Sequence, residues 1–268
     1  MNSAVEPYET NWQEWHSARE RALATPHGWL SLTSFHWLPD VPSALDGLPG
    51  RFHSAHGHAV LQASADDGYR VRGEDEDVPV DGVVKAEVAE AGSLEWLTLG
   101  DVAIELALRG GRYAVRTRDP QAPALRGFAG VPTFPLDEAW RISGHFDPFT
   151  EPRTIRVSTA RADLVQDVVG VGTVTIRPGG APVTLIATAG AGGTLNIPFH
   201  DLTNGAITAS WRTVTTAAPD SDGRVQVDFN RAVNFPFAFS DFGTCPAPPA
   251  GNALSLAVTA GERKPVAR

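Results

Sequence analysis

The chain is short of cysteine, of positive charge and of long apolar runs, and each shortage excludes a class of protein. A single cysteine rules out a disulfide within the chain. Scattered arginines and a formal charge of −9 argue against a nucleic-acid partner. No apolar run approaches the length of a membrane span. We therefore expect a protein with neither intrachain disulfides nor a nucleic-acid or membrane partner.

The N-terminal stretch MNSAVEPYETNW also lacks the basic region and apolar run of a secretory signal. A lone thiol fits a reducing compartment. These two features predict a cytoplasmic location. Hydrophobic residues make up 42% of the chain, which is enough to bury a sizeable core.

One helix is predicted, near the N-terminus, over residues 10–25. Thr10 is placed to cap its first turn, and Pro26 follows its last. Trp12 and Trp15 recur at helical spacing with Ala22, which gives a single apolar stripe. We expect this helix to pack over a sheet or over the end of a barrel.

Beyond the helix, the apolar period changes to two. VAIELAL (102–108) and RYAVRTR (112–118) alternate in this way, and the pair Gly110–Gly111 between them suits a tight hairpin turn. Residues 51–118 therefore form a first strand-rich half. Their hairpins predict antiparallel pairing.

A second strand-rich half covers residues 153–260. Its apolar runs are separated by glycine clusters where a meander needs turns, and NALSLAVTAGE (252–262) can supply a last strand. Short strands with Gly and Pro turns are typical of a sandwich or barrel. The predicted fold is all-β, an antiparallel β-sandwich or barrel of hairpins and meanders carrying an N-terminal α-helix.

An irregular segment, residues 119–152, joins the two halves and is rich in proline and phenylalanine. A solvated linker has no need of aromatic residues such as Phe128, Phe134 and Phe146. We therefore predict one continuous domain over residues 1–268.

The histidines His53, His56 and His58 lie close enough in sequence to suggest a metal site. On a strand, however, His56 and His58 share a face and His53 points away. No carboxylate follows at a motif-like distance. The prediction is a turn-flanking cluster with no metal, and nothing in the chain implies a cofactor.

Neither His200–Asp201 nor Cys245 makes a convincing catalytic group. Adjacent residues on a strand face opposite ways, so Asp201 is better explained as part of a turn that ends at Gly205. No base stands beside Cys245, which suits a small buried residue. The chain has no nucleophile elbow and no phosphate-binding loop. No catalytic residue is predicted.

The stretch after Val227 combines polar and aromatic residues in a way the strands do not. Asp228 and Asn230 alternate with apolar neighbours, and Arg231 follows where the strand should end. Buried polar groups need partners. In one reading Arg231 pairs with Asp228 and braces the loop that follows. In the other, Arg231 and Asn234 bind an anionic or polar ligand in an aromatic-walled pocket.

The sequence DFNRAVNFPFAFSDFGTCPAPPAGNAL (228–254) resembles the signature of the DUF1684 family, bacterial and archaeal proteins of unknown function. We call residues 228–254 the motif segment and residues 228–231 the DFNR box. HGWLSLTSFHWL, RYAVRTRDPQAPALRGFAGVPTFPLDEAWR and FHDLTNGAITASWR are also similar to family blocks. The family often has a second cysteine where this chain has Phe237, so a two-thiol mechanism is excluded here.

The resemblance places several polar and aromatic residues at motif positions, where they form our predicted ligand site. These residues are Arg118, Arg126, Trp140, Arg141, Asp201, Asp228, Asn230, Arg231 and Asn234. Converging arginines and aromatics make a pocket for an anion. The predicted function is therefore binding, or hydrolytic conversion, of a small polar or anionic ligand. The alternative is a non-enzymatic interaction or scaffold module in which the motif segment is structural.

Overall fold

The chain folds into an all-β structure with an N-terminal helix, which confirms the predicted fold class. The computed structural model describes residues 5–73 and 76–265, with side chains from Tyr8 onward. Packing divides the chain into two compact units. We call residues 21–128 the inserted unit, and residues 1–20 with 129–268 the motif unit. The single domain over residues 1–268 stays a prediction.

The helix α1 runs from Val5 to Leu23, so the predicted bounds of 10–25 are wrong at both ends. Thr10 lies inside the helix and does not cap it. The helix ends early because the Thr25 hydroxyl donates to the carbonyl of Ala22 at 3.1 Å, which satisfies a last-turn acceptor. Within the described residues, no helix combines the length and apolarity needed to cross a membrane.

The inserted unit contains ten strands in two antiparallel sheets. They are β1 (Leu32–Trp37), β2 (Ser43–Leu45), β3 (Leu48–Ala55), β4 (His58–Ala63), β5 (Tyr69–Val71), β6 (Val78–Pro79), β7 (Gly82–Ala86), β8 (Ser93–Leu99), β9 (Val102–Arg109) and β10 (Arg112–Arg118). The sheet orders are β1-β10-β9-β8-β5-β6 and β2-β3-β4-β7. A short helix, α2, follows at Pro123–Arg126. One apolar core takes residues from both sheets, including Phe52 and Leu61 from one and Leu97 and Ile104 from the other, as in a sandwich.

The tight turns of the inserted unit lie where the sequence analysis predicted them. Gly110 and Gly111 have φ of 58° and 74°, the left-handed conformation that a two-residue hairpin turn requires. His56 occupies the equivalent turn between β3 and β4, and His58 Nδ1 lies 2.9 Å from the carbonyl oxygen of His56. The turn-flanking position of these histidines is confirmed.

The motif unit contains one seven-stranded sheet. Its strands are β11 (Arg141–Ser158), β12 (Val165–Ile176), β13 (Val183–Ala189), β14 (Leu195–Phe199), β15 (Arg212–Thr216), β16 (Arg224–Asp228) and β17 (Val233–Asn234). The order is β16-β11-β12-β13-β14-β15-β17, with every neighbouring pair antiparallel. Its core gathers one face of this sheet, Phe229, and apolar residues of the segment after Asn252. No sheet closes into a barrel in the ranges that the structure describes.

Two local predictions are wrong. Residues 141–152, predicted to be irregular, belong to β11, because Arg141–His145 pair with β16. Residues 252–262 form no strand, only isolated bridges at Ala253 and Glu262. Their backbone groups pair with the Arg212 side chain and with scattered backbone groups such as those of His200, so alternation alone does not predict the conformation.

Candidate functional site

The DFNR box ends β16 with a single tight turn. The Asp228 carboxylate accepts a hydrogen bond from the backbone N–H of Asn230 at 3.1 Å, which caps the turn at Phe229–Arg231. Phe229 is fully buried and packs edge-on against Phe199 and Trp140, with ring centroids 5.2 and 5.9 Å apart. The box is therefore fixed to the core by Phe229.

The polar groups of the DFNR box hold helix α1. The Tyr8 hydroxyl donates to Asp228 at 2.8 Å, and the indole N–H of Trp12 donates to the Asn230 carbonyl at 2.8 Å. Arg231 donates to Asn11 Oδ1 at 2.5 Å and lies 3.6 Å from the Asp228 carboxylate. Because residues 8, 11 and 12 recur at helical spacing, one face of α1 meets the whole box.

Two cation–π contacts extend this interface. The Arg231 guanidinium lies 5.2 Å from the Trp15 ring centroid, and Arg141 lies 4.1 Å from that of Tyr8. Burial raises the pKa of Tyr8 to about 12, with further contributions from its hydrogen bond to Asp228 and from that charge. The Tyr8 hydroxyl therefore remains protonated, and a donor, to a higher pH than an ordinary tyrosine does.

Further along α1, Arg19 reaches a buried carboxylate that sequence reasoning missed. Arg19 Nε donates to Glu262 Oε1 at 3.1 Å, and Arg19 also donates to the carbonyl of Asn234 at 2.9 Å. The other oxygen of Glu262 accepts the backbone N–H of Asn234 at 2.6 Å. The Asn234 amide donates to the carbonyl of Arg263 at 2.9 Å. Glu262 therefore links α1 to β17.

Asp201 belongs to a second buried network, centred on Arg212. The two form an ion pair at 2.9 Å, and both side chains have 0% exposure. Arg212 also donates to the carbonyls of Val258 and Ala260. Burial lowers the pKa of Arg212, and the charge of Asp201 opposes that change. The predicted turn is confirmed as well, because Asp201 Oδ1 accepts the N–H of Thr203 at 2.7 Å.

Arg118 and Arg126 belong to the inserted unit. Arg118 binds the buried carboxylate of Glu105 at 2.6 Å and donates to the carbonyl of Gly28 at 2.7 Å. Burial raises the pKa of Glu105, but the charges of Arg116 and Arg118 outweigh this effect and hold the pKa below its usual value. Arg126 ends the short helix α2 and is exposed.

The end of the motif segment fastens strands together. Cys245 is buried, and its carbonyl accepts the N–H of Ala160 at 2.9 Å beside the β11–β12 hairpin. The Asn252 amide accepts from and donates to the backbone of Ile186, both at 2.8 Å, and donates to Pro198 at 2.8 Å. These contacts favour the bracing interpretation for the motif segment. A ligand role for the nine predicted residues stays a prediction.

A cleft lies elsewhere, in the inserted unit, where sequence analysis predicted no site. It encloses about 510 Å³ and is lined by residues of β4 and β7 from one sheet, and of β5 and β8 from the other. Val71, Leu94 and Trp96 form its apolar lining, which we call the floor, and its charged or polar lining, which we call the rim, consists of His58, Arg72, Lys85, Glu87 and Glu95. Only the pairing of two sheets brings these residues together, so spacing along the chain carries no signal for them.

Comparison with known proteins identifies the family to which the sequence of the motif unit is similar. A family model described as a protein of unknown function (DUF1684) matches residues 126–263. The solution NMR structure of an uncharacterised protein of Haloarcula marismortui is 31% identical, over 55% of this chain and 83% of that chain, with a TM-score of 0.45. No curated protein matches the chain. The matched residues include β11–β17 and the DFNR box, and the chain belongs to the DUF1684 family of proteins of unknown function.

Proposed function

We propose that the protein binds a small amphipathic anion in the cleft of the inserted unit. The observation that carries this proposal is an apolar floor next to Lys85, which has no ion-pair partner among residues 5–73 and 76–265. The proposal keeps the predicted class of ligand, small and anionic, and moves its site away from the motif segment.

The floor supports binding of an apolar body. Leu94 is 41% exposed within the cleft, although Trp96 beside it is only 3% exposed. An exposed leucine in a concave surface gains free energy when a ligand removes it from water, at about 25 cal/mol per Å² of apolar area. Concave sites with apolar walls and few polar groups are the usual form of small-molecule sites.

The rim supports selection of a negative charge. Arg72 lies 2.8 Å from Glu95, so these two charges are paired, and Glu87 lies 3.6 Å from His58, a contact that is an ion pair only when the histidine is protonated. Lys85 has no carboxylate within ion-pair distance in the part of the chain that the structure describes. An anionic head group next to Lys85 would supply this missing partner.

Binding of decanoate and of decanol, measured by calorimetry, tests the proposal, because the two probes differ chiefly in charge. We expect Lys85→Gln to weaken decanoate about threefold to fivefold, as for a surface ion pair, and to leave decanol unchanged. Leu94→Asp should abolish binding of both. The chain has a second lysine, Lys264, in the motif unit, and Lys264→Gln is the matched control. Equal decanoate affinity in all variants would refute the proposal.

The alternative function, an interaction or scaffold module with a structural motif segment, has one observation in its favour. The Asp228, Asn230 and Arg231 side chains all bond within the chain. This alternative predicts that decanoate leaves the melting temperature unchanged. It also predicts that the chain purifies with a partner at fixed stoichiometry.

A further inference from the structure

The beginning of β15 concentrates polar atoms that have no hydrogen-bond partner. Among the described residues, eight buried side-chain nitrogen or oxygen atoms lack one, and four of them lie here. They are Trp211 Nε1, Arg212 Nε, Thr213 Oγ1 and Asn234 Oδ1. Such atoms are rare in folded proteins because each costs free energy, so a cluster of them needs a physical reason.

Two of these atoms share the outer face of the sheet. Alternation along β15 turns Arg212 toward the core and Thr213 away from it, and Trp211, the residue immediately before the strand, is not among the core residues. Trp211 is 9% exposed, and its ring centroid lies 4.2 Å from that of Phe237 and 6.1 Å from that of His200. The Trp211 ring, which carries the indole N–H, therefore lies between two aromatic neighbours.

The segment that covers this face is hydrogen-bonded only to itself among the described residues. We call residues 235–243 the cover segment. Its backbone bonds run from Ala238 to Phe235 and from Phe239 to Pro236, each at 3.0 Å. Its two ends are fixed, by Asn234 bonded to Glu262 and by the Cys245 carbonyl bonded to Ala160. Among the described residues, the cover segment is therefore held by ring packing of Phe237 on Trp211 and by the Arg19 guanidinium 5.9 Å from the Phe239 ring centroid, and not by hydrogen bonds to the sheet.

The chemistry of the two groups defines the ligand. An indole N–H only donates, and a threonine hydroxyl both donates and accepts. Both are neutral, so a charged molecule would lose hydration here without gaining a counter-charge. An acceptor such as a carbonyl, attached to a flat apolar body, would satisfy the N–H and lie against the aromatic rings.

We propose that the outer face of β15 is a second ligand site, which takes a small neutral molecule whose carbonyl accepts a hydrogen bond from Trp211 Nε1 and interacts with the Thr213 hydroxyl. This site lies in the motif unit and differs in chemistry from the proposed anion cleft. It therefore stands or falls independently of the proposed function.

The test uses benzamide as the probe and the indole ¹H–¹⁵N NMR resonance of Trp211, identified by its loss in Trp211→Phe. We expect benzamide to shift this resonance saturably, and toluene, which has no acceptor, to leave it unchanged. Trp211→Phe and Thr213→Val should each weaken benzamide about tenfold, as measured by calorimetry. Thr215→Val is the matched control, because Thr215 occupies the next outward position of β15 and bonds Asn196.

Two results would overturn this proposal. One is a Trp211 resonance that saturating benzamide does not move. The other is a fall in the melting temperature of Thr213→Val without ligand, because it would show that the hydroxyl already has a structural partner. Replacing an unpartnered hydroxyl with a methyl group should leave the melting temperature unchanged or raise it.

Discussion

Tyr8 joins α1 to the DFNR box through a hydrogen bond that depends on the protonation of its hydroxyl. Its hydroxyl donates to Asp228 at 2.8 Å, and its pKa of about 12 lies above the ordinary value of 10.0. A raised pKa in the folded state contributes stability that is complete below pH 10 and is lost as pH rises toward 12. Deprotonation removes the donor and places a second negative charge beside Asp228.

We therefore expect the free energy of unfolding of the native chain to fall between pH 9 and pH 11.5. In Tyr8→Phe, which has no ionisable group at this position, the fall should be smaller. Urea unfolding at the two pH values measures both. Tyr113→Phe, in the inserted unit, is the control for tyrosine ionisation elsewhere. An identical fall in the native chain and in Tyr8→Phe would contradict the assigned role.

At the scale of residues, the sequence predicted which positions have a structural role, but it predicted their interaction partners less well. Asp228 as a partner of Arg231 was one of two interpretations left open, because buried polar groups need partners, and the structure places the two side chains 3.6 Å apart. The buried networks of Arg212 and of Glu262 were not predicted. An arginine at an inward position of an alternating strand is nevertheless a usable signal for such a network. Several of their partners are distant along the chain: Ala260 lies 48 residues from Arg212, and Arg19 lies 243 residues from Glu262, separations that spacing does not encode.

At the scale of elements, the DFNR box determines where α1 lies. Asn11 and Trp15 contact Arg231, and Trp12 donates to the Asn230 carbonyl. Trp12 and Trp15 of the predicted apolar stripe meet this polar box, whereas Ala22, predicted to belong to the same stripe, is exposed. Short helices draw most of their stability from such tertiary contacts.

Arg231→Ala should loosen α1 and leave the sheet intact. The loss of one hydrogen bond and one cation–π contact is worth about 1 kcal/mol, which corresponds to roughly fivefold faster exchange of the α1 amide hydrogens. Hydrogen exchange resolved by peptide measures this effect. Arg224→Ala, at the opposite and exposed end of β16, is the control. Unchanged exchange in α1 would show that Arg231 does not hold the helix.

Strands were easier to predict than the segments that end them. Glycine turns and period-two alternation indicated most strands of both units, including β9, β10 and β13. Residues 252–262 show the same alternation, yet their backbone pairs with the Arg212 and Asp201 side chains. Alternation of apolar and polar residues shows that a segment has one buried and one exposed face. It does not show whether a neighbouring strand is available for pairing.

At the scale of the whole molecule, two separate apolar cores are present. Ile104 is fully buried in the core of the inserted unit, and Ile197 in the core of the motif unit. Each unit exceeds the size below which a single core seldom suffices for independent stability. The chain therefore has two candidate cooperative units.

Differential scanning calorimetry should resolve two unfolding transitions. Ile104→Val and Ile197→Val each cost about 0.5–1.5 kcal/mol, and each should lower one transition by a few degrees while leaving the other in place. One transition that both variants lower equally would support the single continuous domain predicted from the sequence.

The link between Arg19 and Glu262 has a consequence for the order in which the protein can be synthesised and folded. The two residues are 243 positions apart. Translation at roughly 5–20 residues per second separates their appearance by about 12–50 s. In that interval residues 21–128 can already close around their own core. The partners of Trp12 and Trp15 at residues 230–231, and then the Glu262 partner of Arg19, leave the ribosome only late in that interval, so α1 docks after the inserted unit has had time to fold.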